Sequence, residues 1–415
     1  MSEWKRYKLS ELYEMSSGIS STKEQAGHGS PFLSFSVVFN NYFLPDNLID
    51  LMDTTDGEKQ KYSINEGDIF LTRTSETVDE LAMSSVALKD YPEASFSGFL
   101  KRLRPVDKTI VYPKFMAFYL RSPLFRRTII NNTVMTLRAS FNEAMFSYLE
   151  IMLPDFETQK KIGDFLYSLE KKKQVNNQVN RELEAMAKTL YDYWFVQFDF
   201  PDQNGKPYKS SGGKMVYHPE LKREIPESWG VDSLWNIANF YNGLAMQKYR
   251  PVTEDDYLPV IKIREMMNGF SKDTEKARLD IPTEAVVERG DILFSWSATL
   301  EVIIWGKERG ALNQHIFKVT SATYPKSFIY FELKSYLKVF KSIAELRKTT
   351  MGHITQDHLK QAKIVVPPIE IISKLDAKLQ PIMLKQQILE NQNQELTQLR
   401  DWLLPMLMNG QVKVE

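Results

Sequence analysis

The chain has 415 residues, more than one hydrophobic core of ordinary size can organise, and this length predicts two domains or more. Its 53 basic and 53 acidic side chains cancel, so contacts with nucleic acid would have to come from local patches and not from net charge. The sequence has no Cys and five His, which excludes disulfides and thiolate metal sites and argues against a zinc enzyme. It has no signal-peptide core and no apolar run of about 18 residues, so we expect a cytoplasmic protein that does not associate with a membrane.

The two halves of the sequence repeat each other. Glu66–Ser75 reads EGDIFLTRTS, and Arg289–Ala298 reads RGDILFSWSA, so both stretches keep Gly-Asp-Ile and two large apolar residues and then diverge. Trp4 and Trp229 also occupy matching places ahead of these stretches. Ordered matches along the whole length indicate a domain duplication and not a short solenoid repeat.

Each half begins with about 150 residues of short β-rich runs, separated by Gly, Pro, Asn and Asp. Pro31–Phe39 and Asp68–Arg73 are examples in the first half, and Leu258–Ile263 is one in the second. Helical runs are interleaved with them, at Pro113–Arg127 and Pro325–Arg347. This mixture predicts an α+β domain in each half.

Each half then ends in a long predicted helix. Asp155 is a candidate N-cap for the first, with Glu157 in its first turn. A seven-residue repeat favours a paired coil over two amphipathic helices that each pack only on their own domain. Pro381 is expected to kink the second helix or to split off its first turns. The seam and partner-docking positions are Ile162, Leu169, Asn176, Leu183, Leu190, Leu375, Ile382, Leu389, Leu396 and Leu403.

The stretch between the halves, Phe198–Gly230, is rich in Pro, Gly, Ser and Lys, which predicts a linker or a small surface hairpin and not a core element. It contains a loose nuclease-like pattern, in which Asp202 and Glu220 are followed by Lys222. Two carboxylates and a Lys could hold Mg²⁺, but so common a pattern in a flexible segment is better explained by chance. Phosphate-cradling, dinucleotide-binding and methyl-transfer motifs are absent, so we expect no catalytic and no metal-binding residue in this chain.

Basic clusters recur at matching places in both halves, at Lys101–Arg104, Arg121–Arg138 and Arg347–His353. Each cluster alone fits a solvated helix end as well as a phosphate contact, but the recurrence favours a shared ligand. Arg73 follows the first Gly-Asp-Ile strand and can form paired hydrogen bonds with guanine. The alternative for Arg73 is a surface ion pair with Glu76 or with Asp79.

The chain resembles the DNA-specificity subunit of type I restriction–modification enzymes over its whole length and in order. The residues that carry this resemblance are Gly67–Ile69, Gly290–Ile292, ALNQHIFKV from Ala311, MGHIT from Met351, VVPPIEI from Val365, FPDQNGKPYKSSGG from Phe200 and IPESW from Ile225. The first half departs from the pattern, because it has FSGFLKRL from Phe96 and MTLRAS from Met135 where the second half has the family-like sequences. Pro381 is a further departure.

The resemblance implies an α+β fold in which two repeated target-recognition domains are separated by two long helices that form an antiparallel coiled coil. Each domain would read one half of a split sequence in double-stranded DNA. The helices would dock two modification subunits, and restriction subunits would join them. The chain itself would be non-catalytic and would hold no cofactor, since S-adenosylmethionine, ATP and Mg²⁺ would belong to the partner subunits.

These expectations place boundaries along the chain. The predicted segments are a first recognition domain at 1–154, a central helix at 155–197, a linker at 198–224, a second recognition domain at 225–366, a C-terminal helix at 367–409 and a tail at 410–415. The predicted DNA-binding residues are Arg73, Thr74, Ser75, Arg102, Arg138, Lys248, Ser295, Trp296, Ser297 and His353. Two alternatives remain open, a nuclease built on the linker carboxylates and a coiled-coil scaffold that holds two protein-binding domains and no DNA.

Overall fold

The computed structural model describes residues 4–133, 139–251, 256–346 and 353–414. The chain divides into two compact units, the first made of residues 1–174 and 394–415 and the second of residues 175–393. Each unit therefore contains a section of both long helices in addition to its own sheets. The boundaries expected from the sequence follow secondary-structure elements, whereas these two units follow spatial contacts. The expected boundaries are therefore not tested by this division and stay a prediction.

The first unit is a mixture of short strands and helices. In chain order its elements are β1 Lys5–Lys8, α1 Leu9–Leu12, β2 Tyr13–Ser17, β3 Ala26–Leu33, α2 Phe35–Asn40, β4 Leu51–Met52, α3 Asp56–Lys61, β5 Ile69–Thr72, β6 Thr74–Ser75, β7 Ser84–Val86, β8 Ser95–Phe96, β9 Leu100–Pro105, α4 Pro113–Tyr119, α5 Pro123–Asn132, β10 Ala139–Ser140, α6 Glu143–Tyr148, β11 Glu150–Leu153 and the long helix α7 Phe156–Tyr191. The central sheet has the antiparallel order β2-β9-β5-β7, and smaller sheets have the orders β4-β3-β8, β1-β11 and β10-β6.

The second unit repeats this plan after a π-helical turn at Asp192–Val196. Its elements are β12 Met215–His218, β13 Arg223–Pro226, β14 Gly230–Ser233, α8 Leu234–Ile237, β15 Asn239–Asn242, β16 Leu258–Ile261, α9 Ile263–Asn268, β17 Lys276–Ala277, β18 Val286–Val287, β19 Ile292–Ser295, β20 Glu301–Ile304, β21 Gly310–Leu312, β22 Ile316–Thr320, α10 Lys326–Leu346, α11 Gln356–Gln361, β23 Lys363–Val366 and the long helix α12 Ile369–Met408. Its central sheet has the order β15-β22-β19-β20, the equivalent of β2-β9-β5-β7. The predicted duplicated α+β fold is confirmed.

Both faces of the first central sheet are covered, which explains why its inner strand β5 is buried at all four positions and apolar at three of them. Successive residues of a strand point to opposite faces. Ile69 and Leu71 accordingly pack in one apolar cluster, with Leu103 from β9, and Phe70 packs in another, with Leu100. A strand buried on two sides reads as a continuous apolar run, which is the IFL that follows Gly-Asp in the sequence.

A capping hydrogen bond explains where the first long helix begins, and packing explains why the second continues through a proline. Asp155 caps α7, since its carboxylate accepts the Thr158 N–H at 2.9 Å, and this bond lowers the pKa of Asp155. The predicted N-cap is therefore confirmed. Of the two expectations for Pro381, the splitting of the first turns of α12 is wrong, because the helix continues through it, and the kink stays a prediction. Leu379 and Ile382 are buried on either side of the proline, and this packing outweighs the one backbone hydrogen bond that the proline removes.

Sections of the two helices run antiparallel within each unit. In the second unit Asn180 and Gln386 donate to each other's backbone carbonyl, and buried Asn176 donates to the Asn393 side chain at 3.0 Å. Residue numbers rise along one helix as they fall along the other, so the predicted antiparallel pairing is found. Asn176, a polar residue among the predicted seam positions, is buried and makes this amide contact.

The same pairing holds in the first unit, where Glu170 and Arg400 form an ion pair at 3.2 Å. Leu166 and Leu404 share one apolar cluster with the domain core, so each helix packs on its domain as well as on the other helix. Six seam positions are buried, namely Ile162, Leu169, Asn176, Leu375, Ile382 and Leu389. Four are partly exposed, namely Leu183, Leu190, Leu396 and Leu403.

The segment after the first long helix is more than a linker. Its β12 and β13 form the hairpin that was one of the two expectations, but Phe198, Phe200 and Trp229 are buried in the core of the second unit. The expectation that this segment is not a core element is wrong for these aromatic residues. Pro, Gly, Ser and Lys are frequent in this segment, so its large aromatic residues were not recognised as part of a core. The rings of Phe198 and Phe200 each pack against Trp229, with centroids about 5 Å apart.

Replacement of Trp229 by Ala tests whether this segment belongs to the core. The indole packs edge-on against the rings of Phe195 and Phe198, so its loss should lower the free energy of unfolding by about 3–5 kcal/mol. Tyr217→Ala on the exposed hairpin is the matched control and should change it by less than about 0.5 kcal/mol. Equal, small effects of both substitutions in chemical denaturation would show that the segment is only a tether.

Candidate nucleic-acid interface

The repeated Gly-Asp-Ile sequence forms the same turn in both units. Gly67 and Gly290 have φ angles of 91° and 88°, a backbone conformation that strains any L side chain. The carboxylates of Asp68 and Asp291 each accept the backbone N–H three residues earlier at 2.8 Å. The repeated residues therefore begin the strand, and the sequences of the two halves diverge at its other end.

The residue after β5 is Arg73, and it is fixed by backbone bonds on both sides. Its N–H donates to the Phe99 carbonyl at 2.8 Å, and its carbonyl accepts the Phe141 N–H at 2.9 Å. Its side chain is exposed, and the guanidinium donates to the Gly98 carbonyl at 3.4 Å. Among the described side chains it forms no ion pair, so the alternative of a pair with Glu76 finds no support, and the side chain of Asp79 lies outside those described.

Trp296 occupies the equivalent backbone position after β19. Its N–H donates to the His315 carbonyl at 3.3 Å, and its carbonyl accepts the Ile354 N–H at 2.7 Å. The indole Nε1 donates to Asn242 Oδ1 at 3.0 Å. Centroids of three further rings lie 5.6, 6.0 and 6.3 Å from the indole, those of His315, Phe317 and His353.

Strand register matches two more positions in each unit. Ser17 lies opposite Lys101 in the β2–β9 ladder, and Asn242 lies opposite Phe317 in the β15–β22 ladder. Four positions therefore correspond on one shared backbone. We call Ser17, Arg73, Phe99 and Lys101 the first rim, and Asn242, Trp296, His315 and Phe317 the second rim.

The two rims differ in chemistry. The first rim is cationic, with the Lys101 Nζ donating to Ser17 Oγ at 2.8 Å and with the ring of Phe99 66% exposed beside it. Burial, and next the charge of Arg73, lower the pKa of Lys101, and the Glu143 carboxylate acts in the opposite direction. The second rim is aromatic. Different side chains on one backbone are what two readers of different sequences require.

The other predicted binding residues fall into two groups. In the first group, Lys248 in a 3₁₀ turn and His353 are exposed, and Thr74 and Ser75 in β6 are half-buried. Arg138 lies outside the described residues.

Three other predicted binding residues are buried, and their contact with DNA stays a prediction. Arg102 is 8% exposed, and its guanidinium donates to the Ser63 carbonyl at 2.6 Å. Ser295 is fully buried, where its Oγ donates to the Thr299 carbonyl, and Ser297 is 6% exposed. Arg102 and Ser295 lie next to Lys101 and Trp296 in the sequence, so strand alternation turns them to the opposite face.

Sequence reasoning missed most of both rims, although a signal was present. The stretch FSGFLKRL aligns with LNQHIFKV, and alternation places Phe99 and Lys101 on the same face as Arg73. Arg102 was predicted because it belongs to the basic KRLR cluster. It lies one residue from Lys101 and therefore faces the opposite side of the sheet. Ser17 and Asn242 carry no sequence signal, since only the strand register brings them to this edge.

Among the residues that the structure describes, no group of acidic or His side chains could hold a metal ion. Asp202 of the nuclease-like pattern instead accepts two backbone N–H groups of its own turn at 2.8 Å. In the same part of the chain, the helices are all too short or too polar to cross a lipid bilayer.

Comparison with known proteins places both halves in one family. The family model described as "Type I restriction modification DNA specificity domain" matches residues 1–185 and 226–398. The chain is 27% identical to the specificity subunit of the type I restriction enzyme MjaIX from Methanocaldococcus jannaschii over 64% of this chain, and the match spans only 61% of that relative. It is 24% identical to the HindI specificity subunit from Haemophilus influenzae, over 99% of this chain and all of that one.

A solved structure has the same fold. The crystal structure of the S subunit of a type I restriction–modification system from M. genitalium aligns with a TM-score of 0.57 at 14% identity. The alignment covers 98% of this chain and 96% of that one. At this identity the likeness concerns the fold alone.

Replacement of Gly67 by Ala tests the turn that begins β5. A Cβ at a φ of 91° costs about 1–2 kcal/mol, so the free energy of unfolding should fall by that amount. Gly57→Ala in the exposed helix α3 is the matched control, because its new Cβ meets no atom within 4 Å and should stabilise the helix by about 0.5–1 kcal/mol. Equal stabilisation of both variants in chemical denaturation would contradict the role of the turn.

Proposed function

Because the chain belongs to the type I restriction–modification DNA-specificity family, we propose that it selects the double-stranded DNA sequence on which a type I restriction–modification complex acts. Each unit reads one half of a split target through its rim. One observation carries this proposal, namely that the two units present different side chains on a shared backbone. A scaffold for two copies of the same protein would have no use for this difference.

The chemistry of the rims suits base edges and DNA backbones. The exposed guanidinium of Arg73 can form paired hydrogen bonds with guanine, and Lys101 adds a second positive charge. In the second rim, the imidazole of His315 can donate or accept a hydrogen bond, and Trp296 offers an apolar surface to a thymine methyl group. The two half-sites should therefore differ in sequence.

We propose that the long helices dock two modification subunits, and that restriction subunits join this assembly. Apolar side chains remain exposed on them, including Leu399 and Trp402 in the first unit and Met186 and Leu384 in the second. Met186 and Leu399 occupy equivalent places in the repeat, 213 residues apart. Repeated exposed apolar side chains on a duplicated scaffold suit two copies of one partner.

We propose that this chain is non-catalytic by itself. The partner subunits would bring S-adenosylmethionine, ATP and Mg²⁺, since the sequence lacks the motifs that bind the first two and its one metal-like pattern is a turn. The complex would then act in the cytoplasm, where ATP and the DNA are.

Exchange of residues 1–154 for the matching domain of a relative tests the division of labour. With its partner subunits present, the hybrid should methylate a sequence in which one half is new and the other half is unchanged. The physical reason is that each rim is built from strands of its own unit. Methylome sequencing of cells that express the complex reads both halves at once.

The unmodified chain with the same partner subunits is the control. A change in both halves together would contradict independent reading. Absence of any methylated sequence that depends on the chain, in cells where the complex assembles, would instead favour the scaffold without DNA.

A further inference from the structure

Lys101 is buried to a degree that is unusual for a lysine. Its side chain is 7% exposed, and a lysine is almost never so buried unless a carboxylate pairs with it. Its Nζ donates to the hydroxyl of Ser17 at 2.8 Å. Among the described side chains, no carboxylate lies within 4 Å of it. A neutral hydroxyl compensates a desolvated ammonium poorly, and among the described side chains no carboxylate is paired with this charge.

A second cation lies beside it. The charge of Arg73 lowers the pKa of Lys101, and among the described residues the exposed carboxylate of Glu143 opposes it. Two like charges gathered at one edge of a sheet destabilise the free protein. The arrangement becomes favourable when an anion joins it, because a charge-assisted hydrogen bond is about twice as strong as a neutral one.

We propose that Lys101 and Ser17 bind one phosphate group of the DNA backbone in the first unit. The ammonium is the donor to a phosphate oxygen, and the Ser17 hydroxyl fixes its position and can donate to a second oxygen. Arg73 adds positive potential and still reaches outward to the neighbouring base edge. This assignment rests on the proposed function, since it takes DNA as the ligand.

The position of Phe99 supports a backbone phosphate over a free one. Its ring is 66% exposed beside the two cations, and an apolar ring next to a cationic site suits the sugar and base that flank a phosphodiester. In the second unit Phe317 replaces Lys101 on the same backbone. That unit therefore lacks this contact, and the two halves of the target are held by different numbers of phosphates.

The test is the salt dependence of DNA binding by the full chain assembled with its modification subunits. Lys101→Met keeps the length of the side chain and removes the charge. Its binding to both a cognate and a scrambled duplex should weaken by a similar factor, and the slope of log K against log salt should become shallower by about 1. Lys101→Arg keeps the charge and should keep the slope.

Lys108→Met is the matched control, because it removes an exposed positive charge from the same unit and should leave the slope unchanged. Ser17→Ala is a second, milder variant, and it should weaken binding to both duplexes while the chain stays folded. Thermal unfolding without DNA gives a separate readout, in which Lys101→Met should be at least as stable as the parent chain, since a buried charge has been removed.

Two results with Lys101→Met would overturn the assignment. In one, Lys101→Met keeps the slope and affinity of the parent chain. In the other, it loses preference at one base position while binding to the scrambled duplex is unchanged, which marks a base contact. A parent complex that binds neither duplex in a salt-dependent way would instead refute the proposed function. Free inorganic phosphate supplies the remaining control. If millimolar phosphate binds at Lys101 but does not compete with DNA, this result also counts against a backbone contact.

Discussion

The register of the central sheet is the constraint on which the rest of each unit depends. Its middle strand is buried on both faces, so a shift of one residue would move every side chain to the wrong cluster. The glycine turn fixes where the strand begins, and the register then determines which side chain stands at the far edge. Arg73 and Trp296 are at that edge for this reason. The two units therefore differ in the side chains at the end of this strand, since the glycine turn that begins it is the same in both.

Much of the fold could be predicted from the sequence. The duplication, the α+β class, the Asp155 cap and the paired helices all follow from patterns that local physics produces, namely apolar periodicity and capping chemistry. Two expectations failed because packing overrode a local rule. Helix α12 continues through Pro381 and is not split there, and Phe198 is buried although it begins a segment rich in Pro, Gly, Ser and Lys.

The candidate site could be predicted only in part, for a geometric reason. Strand alternation decides which of two adjacent residues faces outward, and a cluster such as KRLR does not reveal its own phase. Arg102 was therefore predicted, although Lys101 is the residue that lies on the same face as Arg73, and Ser295 was predicted, although it is fully buried next to Trp296. Ser17 and Asn242 come from a distant strand, so only the ladder register identifies them. Comparison of the two halves supplies what either half alone cannot, because positions that differ on a shared backbone are the candidates for the proposed reading surface.

The most direct test of this account exchanges one rim for the other. The variant carries Ser17→Asn, Arg73→Trp, Phe99→His and Lys101→Phe, and it is expressed with its modification and restriction partners. Methylome sequencing should show a changed first half of the target sequence and an unchanged second half. An unchanged target sequence, methylated by a complex that is folded and active, would contradict the claim that the first rim reads the DNA.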